Sequence, residues 1–378
     1  TMIYPLLLML SGSVKGKLDA YEFDVVPKFL VNDDALYKRY TEQKYNEKVD
    51  EYQIANKEFI RIFKKVEPPS QINEIILNDW KNFQIKTDIP ASFFHVGNMY
   101  YLPGANNRVT TKNTRKFRNY IRDLCGNSSE KFRSMFKTQL PNWYFLDLTP
   151  ERLLDRNYKI PQTKFANVFY DFKKEIQFED RVYLSLDGKF SKYLRSLNAY
   201  NGSIESFNKK HNTLFKTFFD ISFSNSYPSD LLSKHWETFV RFELNPQFIF
   251  LNNQGRSLFN SYTSKKFVNI NSLNNEWKTS YLNFDEINVD NVTPYESKMS
   301  NDFISFIKNP DLCPVEVLSI KSVETLWRKF LKDKYGNIRN FNQEANSTYE
   351  AISKVPMPMK DMDFNYVSVK KNQLRWNY

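Results

Sequence analysis

Glycine is scarce in this chain, with 9 residues in 378 against a usual share of about 7%. Glycine supplies the positive-φ backbone that phosphate-cradling loops need, so nucleotide-binding chemistry has little to build on. Cysteine is scarcer still, with Cys125 and Cys313 alone. Two cysteines without CxxC spacing exclude a disulfide scaffold and leave either one bridge or two buried apolar side chains. Histidine occurs three times, as His95, His211 and His235, without the paired spacing that holds zinc. Long hydrophobic runs are missing as well. The longest, 2–10, has nine consecutive apolar residues, where crossing a bilayer takes about 20.

What is present is a globular composition, 41% hydrophobic and 16% aromatic, which excludes a disordered chain. Phe, Tyr, Asn and Lys are frequent even in stretches that read as plain surface, so ring content by itself points to no ligand. The net charge of +11 is diffuse, with cations and anions mixed along most of the chain as on a solvated face. The densest basic stretch is Arg108, Lys112, Arg115, Lys116, Arg118 and Arg122, with Phe117 and Tyr120 among them. That mixture would suit a groove tracking a nucleic-acid backbone. It equally suits a helix with rings inward and cations outward. No zinc-finger, RNA-binding or winged-helix signature accompanies it, so the expectation is the helix and no nucleic-acid partner.

The apolar run is followed by Ser11-Gly12-Ser13 and then Lys15 and Lys17. It lacks the preceding basic residues of a signal peptide and reads as the trailing end of a membrane helix. The stretch Tyr4-Pro5-Leu6-Leu7-Leu8-Met9-Leu10-Ser11-Gly12-Ser13-Val14-Lys15 is followed by Glu22-Phe23, by Val26-Pro27-Lys28-Phe29, and by Asp33 to Tyr37 and Tyr40. This pattern resembles the end of the first membrane helix of maltose-type carbohydrate ABC-transporter permease subunits. It covers about residues 1–40, roughly a tenth of the chain. The resemblance implies that the rest is an enlarged loop on the extracytoplasmic side of the bacterial inner (cell) membrane, held through flanking segments. It also implies a second permease subunit, an ATPase subunit and a solute-binding protein as partners, with an oligosaccharide as the passing ligand. The sequence departs from the family in the length of this loop, which is usually short, and in lacking the cytoplasmic coupling motif and further membrane spans.

The strongest signal is internal repetition. An aromatic-x-x-aromatic pair recurs as Phe117/Tyr120, Phe190/Tyr193, Phe259/Tyr262 and Trp327/Phe330. Each is followed by an apolar anchor, Phe132, Phe207, Leu273 and Phe341, and in the last three copies by Asn208, Asn274 and Asn342. Counting from the anchor, a hydroxyl stands six residues on (Thr138, Thr213, Thr279, Ser347) and large apolar residues stand eight, eleven and fourteen on. The eleventh-residue column is Trp143, Phe218, Phe284 and Ile352; the fourteenth is Leu146, Ile221, Ile287 and Val355. A proline follows, then a second pair in three copies: Phe169/Phe172, Trp236/Phe239 and Phe303/Phe306. Pro69 ahead of Trp80/Phe83 suggests a partial earlier copy. Rings at i, i+3 mark the inner faces of amphipathic helices, and Gly336 after Tyr335 suits a helix C-cap. The steps between the eighth and fourteenth columns fit either helix or extended chain.

The expected fold is therefore mainly α: irregular helical repeats, about four units of 65–75 residues, stacked in an array. The expected divisions are 1–14 as the end of a transmembrane helix, 15–110 as an adaptor with a partial repeat, and 111–378 as the repeat domain. No acidic position recurs among the copies, and Ser11-Gly12-Ser13 lacks the form of a nucleophile elbow. The expectation is thus a non-enzyme without catalytic, cofactor or metal residues. Trp143, Trp277 and Trp376 are the candidates for rings stacking on sugars or a partner, provided they prove exposed. The expected function is the extracytoplasmic domain of a carbohydrate permease that docks a solute-binding protein or guides substrate. The alternative is a membrane-anchored repeat scaffold that binds protein or polysaccharide.

Overall fold

The computed structural model of the chain describes residues 3–15, 18, 22, 24–45, 47–96, 112–138, 143, 146, 151–290 and 294–377. Among the described residues the protein is mainly helical, 62% in 16 helices, with only short antiparallel strands. After α1 (Ile3–Val14) a helical hairpin and an exit helix recur five times; among the described residues the first, third and fourth copies also carry a 3-10 turn on each side of the exit helix and a three-residue strand. The first copy is α2 (Asp33–Lys44), α3 (Val49–Asn56), the turn Phe63–Lys65, exit helix α4 (Glu74–Lys86), the turn Ala91–Phe93 and β1 (Phe94–Val96). The second is α5 (Lys112–Leu124), α6 (Ser129–Phe136), exit helix α7 (Lys164–Glu175), the turn Phe178–Asp180 and β2 (Arg181–Tyr183). The third is α8 (Leu186–Ser196), α9 (Ile204–His211), the turn Phe218–Asp220, exit helix α10 (Ser233–Thr238), the turn Pro246–Phe248 and β3 (Ile249–Leu251). The fourth is α11 (Asn253–Lys266), α12 (Ile270–Trp277), the turn Phe284–Glu286, exit helix α13 (Lys298–Lys308), the turn Val315–Val317 and β4 (Leu318–Ile320). The fifth is α14 (Val323–Tyr335), α15 (Ile338–Glu344), the turn Ile352–Lys354 and exit helix α16 (Met359–Asn377).

The sequence columns now have causes. The anchors Phe132, Phe207, Leu273 and Phe341 are buried on the second hairpin helix, and Tyr52 takes the same place in the first copy. Asn274, next to its anchor, accepts from Thr279 Oγ1 at 2.8 Å and from the Tyr281 N–H at 3.0 Å, and donates to the Tyr281 carbonyl at 2.8 Å. Asn208 makes the same bonds with Thr213 and Phe215, and Asn342 makes them with Ser347 and Tyr349. One amide and one hydroxyl thereby satisfy the backbone of a loop that has left its helix. Reversal of the chain just beforehand puts Lys57, Lys137, Asn212, Lys278 and Asn346 at φ between 46° and 57°, the left-handed turn that ends helices. The threefold steps that fit either helix or strand mark one 3-10 turn: Phe63, Phe218, Phe284 and Ile352 open it. Val66, Ile221, Ile287 and Val355 close it and are buried. Gly336 follows α14 at φ 75°, as the capping pattern requires.

Two compact units divide the chain. Unit 1 joins 1–150 and 171–183 to 330–378; unit 2 holds 151–170 and 184–329. The physical reason lies in how the ring pairs are covered. In the second, third and fourth copies the hairpin rings meet their own exit helix: Phe117 and Tyr120 on Phe172, Phe190 and Tyr193 on Phe239, Phe259 and Tyr262 on Phe306. The first and last copies exchange. Phe330 of α14 lies edge-on to Phe83 of α4 at 5.7 Å, while Tyr37 of α2 meets Phe364 of α16 at 5.5 Å. The buried pair Lys44–Asp363 fastens α2 to α16, and Lys334 with Tyr335 fastens the end of α14 to Asp79 of α4. Strands β1 and β2 pair antiparallel in unit 1, Phe94 opposite Tyr183.

In unit 2, β3 and β4 pair antiparallel, Ile249 opposite Ile320. Gly255 opens α11 so close to this ladder that a Cβ would meet the Val317 side chain at 3.0 Å. α10 runs into a single π turn, Phe239–Glu243, which widens the helix and frees carbonyls. Arg156 donates to three of them, those of Val240, Arg241 and Leu244. Arg241 is itself buried and donates to the carbonyls of Ile307 and Cys313. Glu324 of α14 accepts from Ser185 Oγ and from the Leu186 and Asp187 N–H groups, a carboxylate set on the positive end of α8.

Lys44→Met strands Asp363 in unit 1 without its cation and is expected to cost about 3–5 kcal/mol in denaturant unfolding. Adding Asp363→Leu removes the stranded charge and is expected to recover most of that loss.

Candidate functional site

The exposed apolar surface of unit 1 includes its first helix. Helix α1 is apolar from residue 3 to residue 10, and Tyr4, Leu6, Leu7, Met9 and Leu10 are exposed by 40–65%. No described helix is long and apolar enough to cross a membrane. The base of α1 is tied down by polar groups: Ser11 Oγ donates to the Asp24 carbonyl at 2.8 Å, and Lys15 Nζ donates to the carbonyls of Glu22 and Asp24. The Glu22 carboxylate takes Lys28 and Lys64, both at 3.1 Å, and these two hydrogen-bonded ammonium groups hold its pKa below the usual carboxylate value. Leu18 packs on the core cluster that contains Phe29, Leu36, Phe63 and Leu374. Asp33, in the first turn of α2, accepts from Lys371 at 2.9 Å and from Arg375 in the last turn of α16. Lys15, Lys28 and Lys64 are thus joined through residues 22 and 24 at the foot of an exposed apolar helix. Trp376 is 91% exposed.

Of the three tryptophans singled out from the sequence, Trp376 alone is fully open. Trp143 is half-buried, its ring edge-on to the Phe132 anchor at 5.7 Å. Trp277 is buried at 5% exposure, stacked on Phe259, with Nε1 donating to Asp302 at 2.9 Å. Its ring has no free face for a sugar, because the indole substitutes here for the ring-plus-hydroxyl of a tyrosine in fastening an exit helix. The basic stretch folds as the ring-inward helix α5: Phe117 and Ile121 are buried and Arg115 and Arg122 exposed. Arg108 lies outside the described residues. Cys125 and Cys313 are buried free thiols, and burial pushes Cys313 up to about 11.

One cluster escaped the sequence reading. His211 and His235, 24 residues apart, both bring Nε2 to the hydroxyl of Tyr200, at 2.7 and 2.6 Å. Their separation matches no ligand motif; the hairpin turn that carries Tyr200 is what gathers them. His95 sits elsewhere, in unit 1, with Nε2 3.6 Å from Glu51.

No family model, curated protein or solved structure matches the chain. The local chemistry therefore carries the functional argument alone.

Trp376→Ala is expected to leave unfolding free energy within about 0.5 kcal/mol of the parent, the usual range for an exposed side chain. Trp277→Phe keeps the ring but strands Asp302's acceptor, with an expected loss of about 1–3 kcal/mol in the same denaturant titration.

Proposed function

We propose that this chain is the non-catalytic extracytoplasmic domain of a carbohydrate ABC-transporter permease, docking a solute-binding protein or guiding substrate toward membrane subunits. The observation that carries the reading is the apolar, exposed α1 with Lys15, Lys28 and Lys64 gathered at its base. An exposed apolar helix loses about 25 cal/mol for each Å² of apolar surface left in water. A bilayer removes that loss on all sides at once, whereas a protein groove would cover one stripe. Cations at its foot suit the headgroup layer.

The position of α16 favours an insertion over a free scaffold. A loop set between two membrane helices must bring both of its ends to one membrane face, and Leu18 and Leu374 meet in one core cluster. The carbohydrate class rests on the resemblance within residues 1–40. Support for a binding rather than a catalytic domain comes from the buried charges. Lys44–Asp363, Arg241 and Glu324 are each occupied in fastening helices and turns.

Co-sedimentation with phosphatidylcholine–phosphatidylglycerol vesicles tests the membrane contact. The chain is expected to pellet with vesicles, and Leu6→Asp with Leu10→Asp to stay in the supernatant with its fold intact by circular dichroism. A chain that stays soluble, or a variant that still pellets, overturns the reading. Hydropathy of the gene on both sides then separates the two classes. Several apolar spans of about 20 residues beyond residue 378 favour the permease, and an immediate stop favours an anchored scaffold.

A further inference from the structure

The five copies provide an internal comparison at one position, the residue just before the exit helix's first large apolar ring or its equivalent. It is Asp79, Val168, His235, Asp302 and Asp363 in chain order. Three of the five are aspartates, and each takes a lysine and a ring donor. Asp79 takes Lys334 at 2.6 Å and the Tyr335 hydroxyl. Asp302 takes Lys266 and the Trp277 indole. Asp363 takes Lys44, with a second hydrogen bond from Tyr45. The second copy puts Val168 there and relies on Phe117, Tyr120 and Phe172. In the third copy an imidazole replaces the carboxylate: His235 meets Tyr200, and Tyr200 meets His211.

The hydrogen-bond arithmetic at this joint is restrictive. One phenol has one proton, so Tyr200 donates to one Nε2 and accepts N–H from the other. The accepting ring is then neutral with its proton on Nδ1, and the other carries a proton on Nε2. A proton added to the accepting ring removes the acceptor, strands the phenol proton, and puts a cation against the second imidazole, 5.7 Å away between ring centroids. The charged groups acting on the rings are also cations, Lys210 on α9 and Lys234 on α10, and Tyr193 on α8 faces Tyr200. Lys210 Nζ stands 5.4 Å over the Tyr200 ring. Burial first, then these neighbours, lowers both histidines below the ordinary imidazole value.

We propose that Tyr200, His211 and His235 form an acid-labile joint that fastens the start of α10 to the α8–α9 hairpin at neutral pH and loosens it on acidification. The direction follows from linkage. The unfolded chain takes up protons at about pH 6.5, and the folded joint takes them up only at lower pH. The joint's contribution is therefore complete above that value and is lost as pH falls through the lowered folded range.

Long-range ¹⁵N–¹H spectra of the whole chain give the test, since it has only three histidines and His211→Asn and His235→Asn assign two of them. His211 and His235 are expected to titrate below about 6.5. Amide exchange corrected for intrinsic rates should show residues 204–238 losing protection from about pH 7 to about pH 5, with 270–277 unchanged. His95→Gln should not alter this loss, and the double variant His211→Asn, His235→Asn should abolish its pH dependence. Either imidazole titrating at or above 6.5 in the parent chain, or equal protection of 204–238 at both pH values, overturns the proposal without requiring any variant to fold.

Discussion

Two large rings three residues apart on a helix of two or three turns cannot be hidden by that helix. A second helix must lie across them, and in this protein that single requirement organises nearly everything else. Each hairpin presents such a pair, and each exit helix offers a matching face. The 3-10 turn, the asparagine loop and the left-handed residue bring one to the other across a short connection. Because burial of a ring pair is the large favourable term, the polar fastenings beside it act mainly to fix register. A lysine and a ring donor on one aspartate, repeated in three settings, select one angular position where apolar packing would accept several.

The exchange between the first and last copies follows from the same requirement. A copy at either end of a repeated chain has one side with no neighbour, and natural solenoids solve this with polar caps. Here the terminal hairpins keep full ring pairs, Tyr37/Tyr40 and Trp327/Phe330. Covering α2 with α16 and the end of α14 with α4 removes the exposed pair at both ends at once. The arrangement explains why unit 1 is built from three separate stretches of chain while unit 2 is nearly continuous.

Much of this was legible in the sequence, and the boundary of legibility is physical. Local rules exposed the helical class, the columns from anchor to closing apolar residue, the C-cap at Gly336 and the inward rings of the basic helix. The first copy was under-read because Gln53 stands where later copies have asparagine, and its longer amide reaches the Ile60 carbonyl to do the same work. The threefold step was ambiguous because one 3-10 turn is too short to show a period. Nothing local could reveal Lys44 against Asp363 or two histidines on one phenol, since those partners are chosen by packing. The reading of Trp277 as a candidate ring for sugar failed for that reason too: exposure is a property of the fold, and Asp302 had already taken the indole.

The exchanged ends also set an order of events during synthesis. Chains emerge N-terminus first and domains fold as units when they are complete. The first hairpin leaves the ribosome with its rings uncovered and waits for α16, the last described helix of the chain. Unit 2 can close in the meantime on its own segments. For hundreds of residues of translation the aromatic face of α2 therefore stays available to chaperones or to a neighbouring chain, and a ribosome stalled before α16 releases a product whose second half is folded and whose first half is sticky.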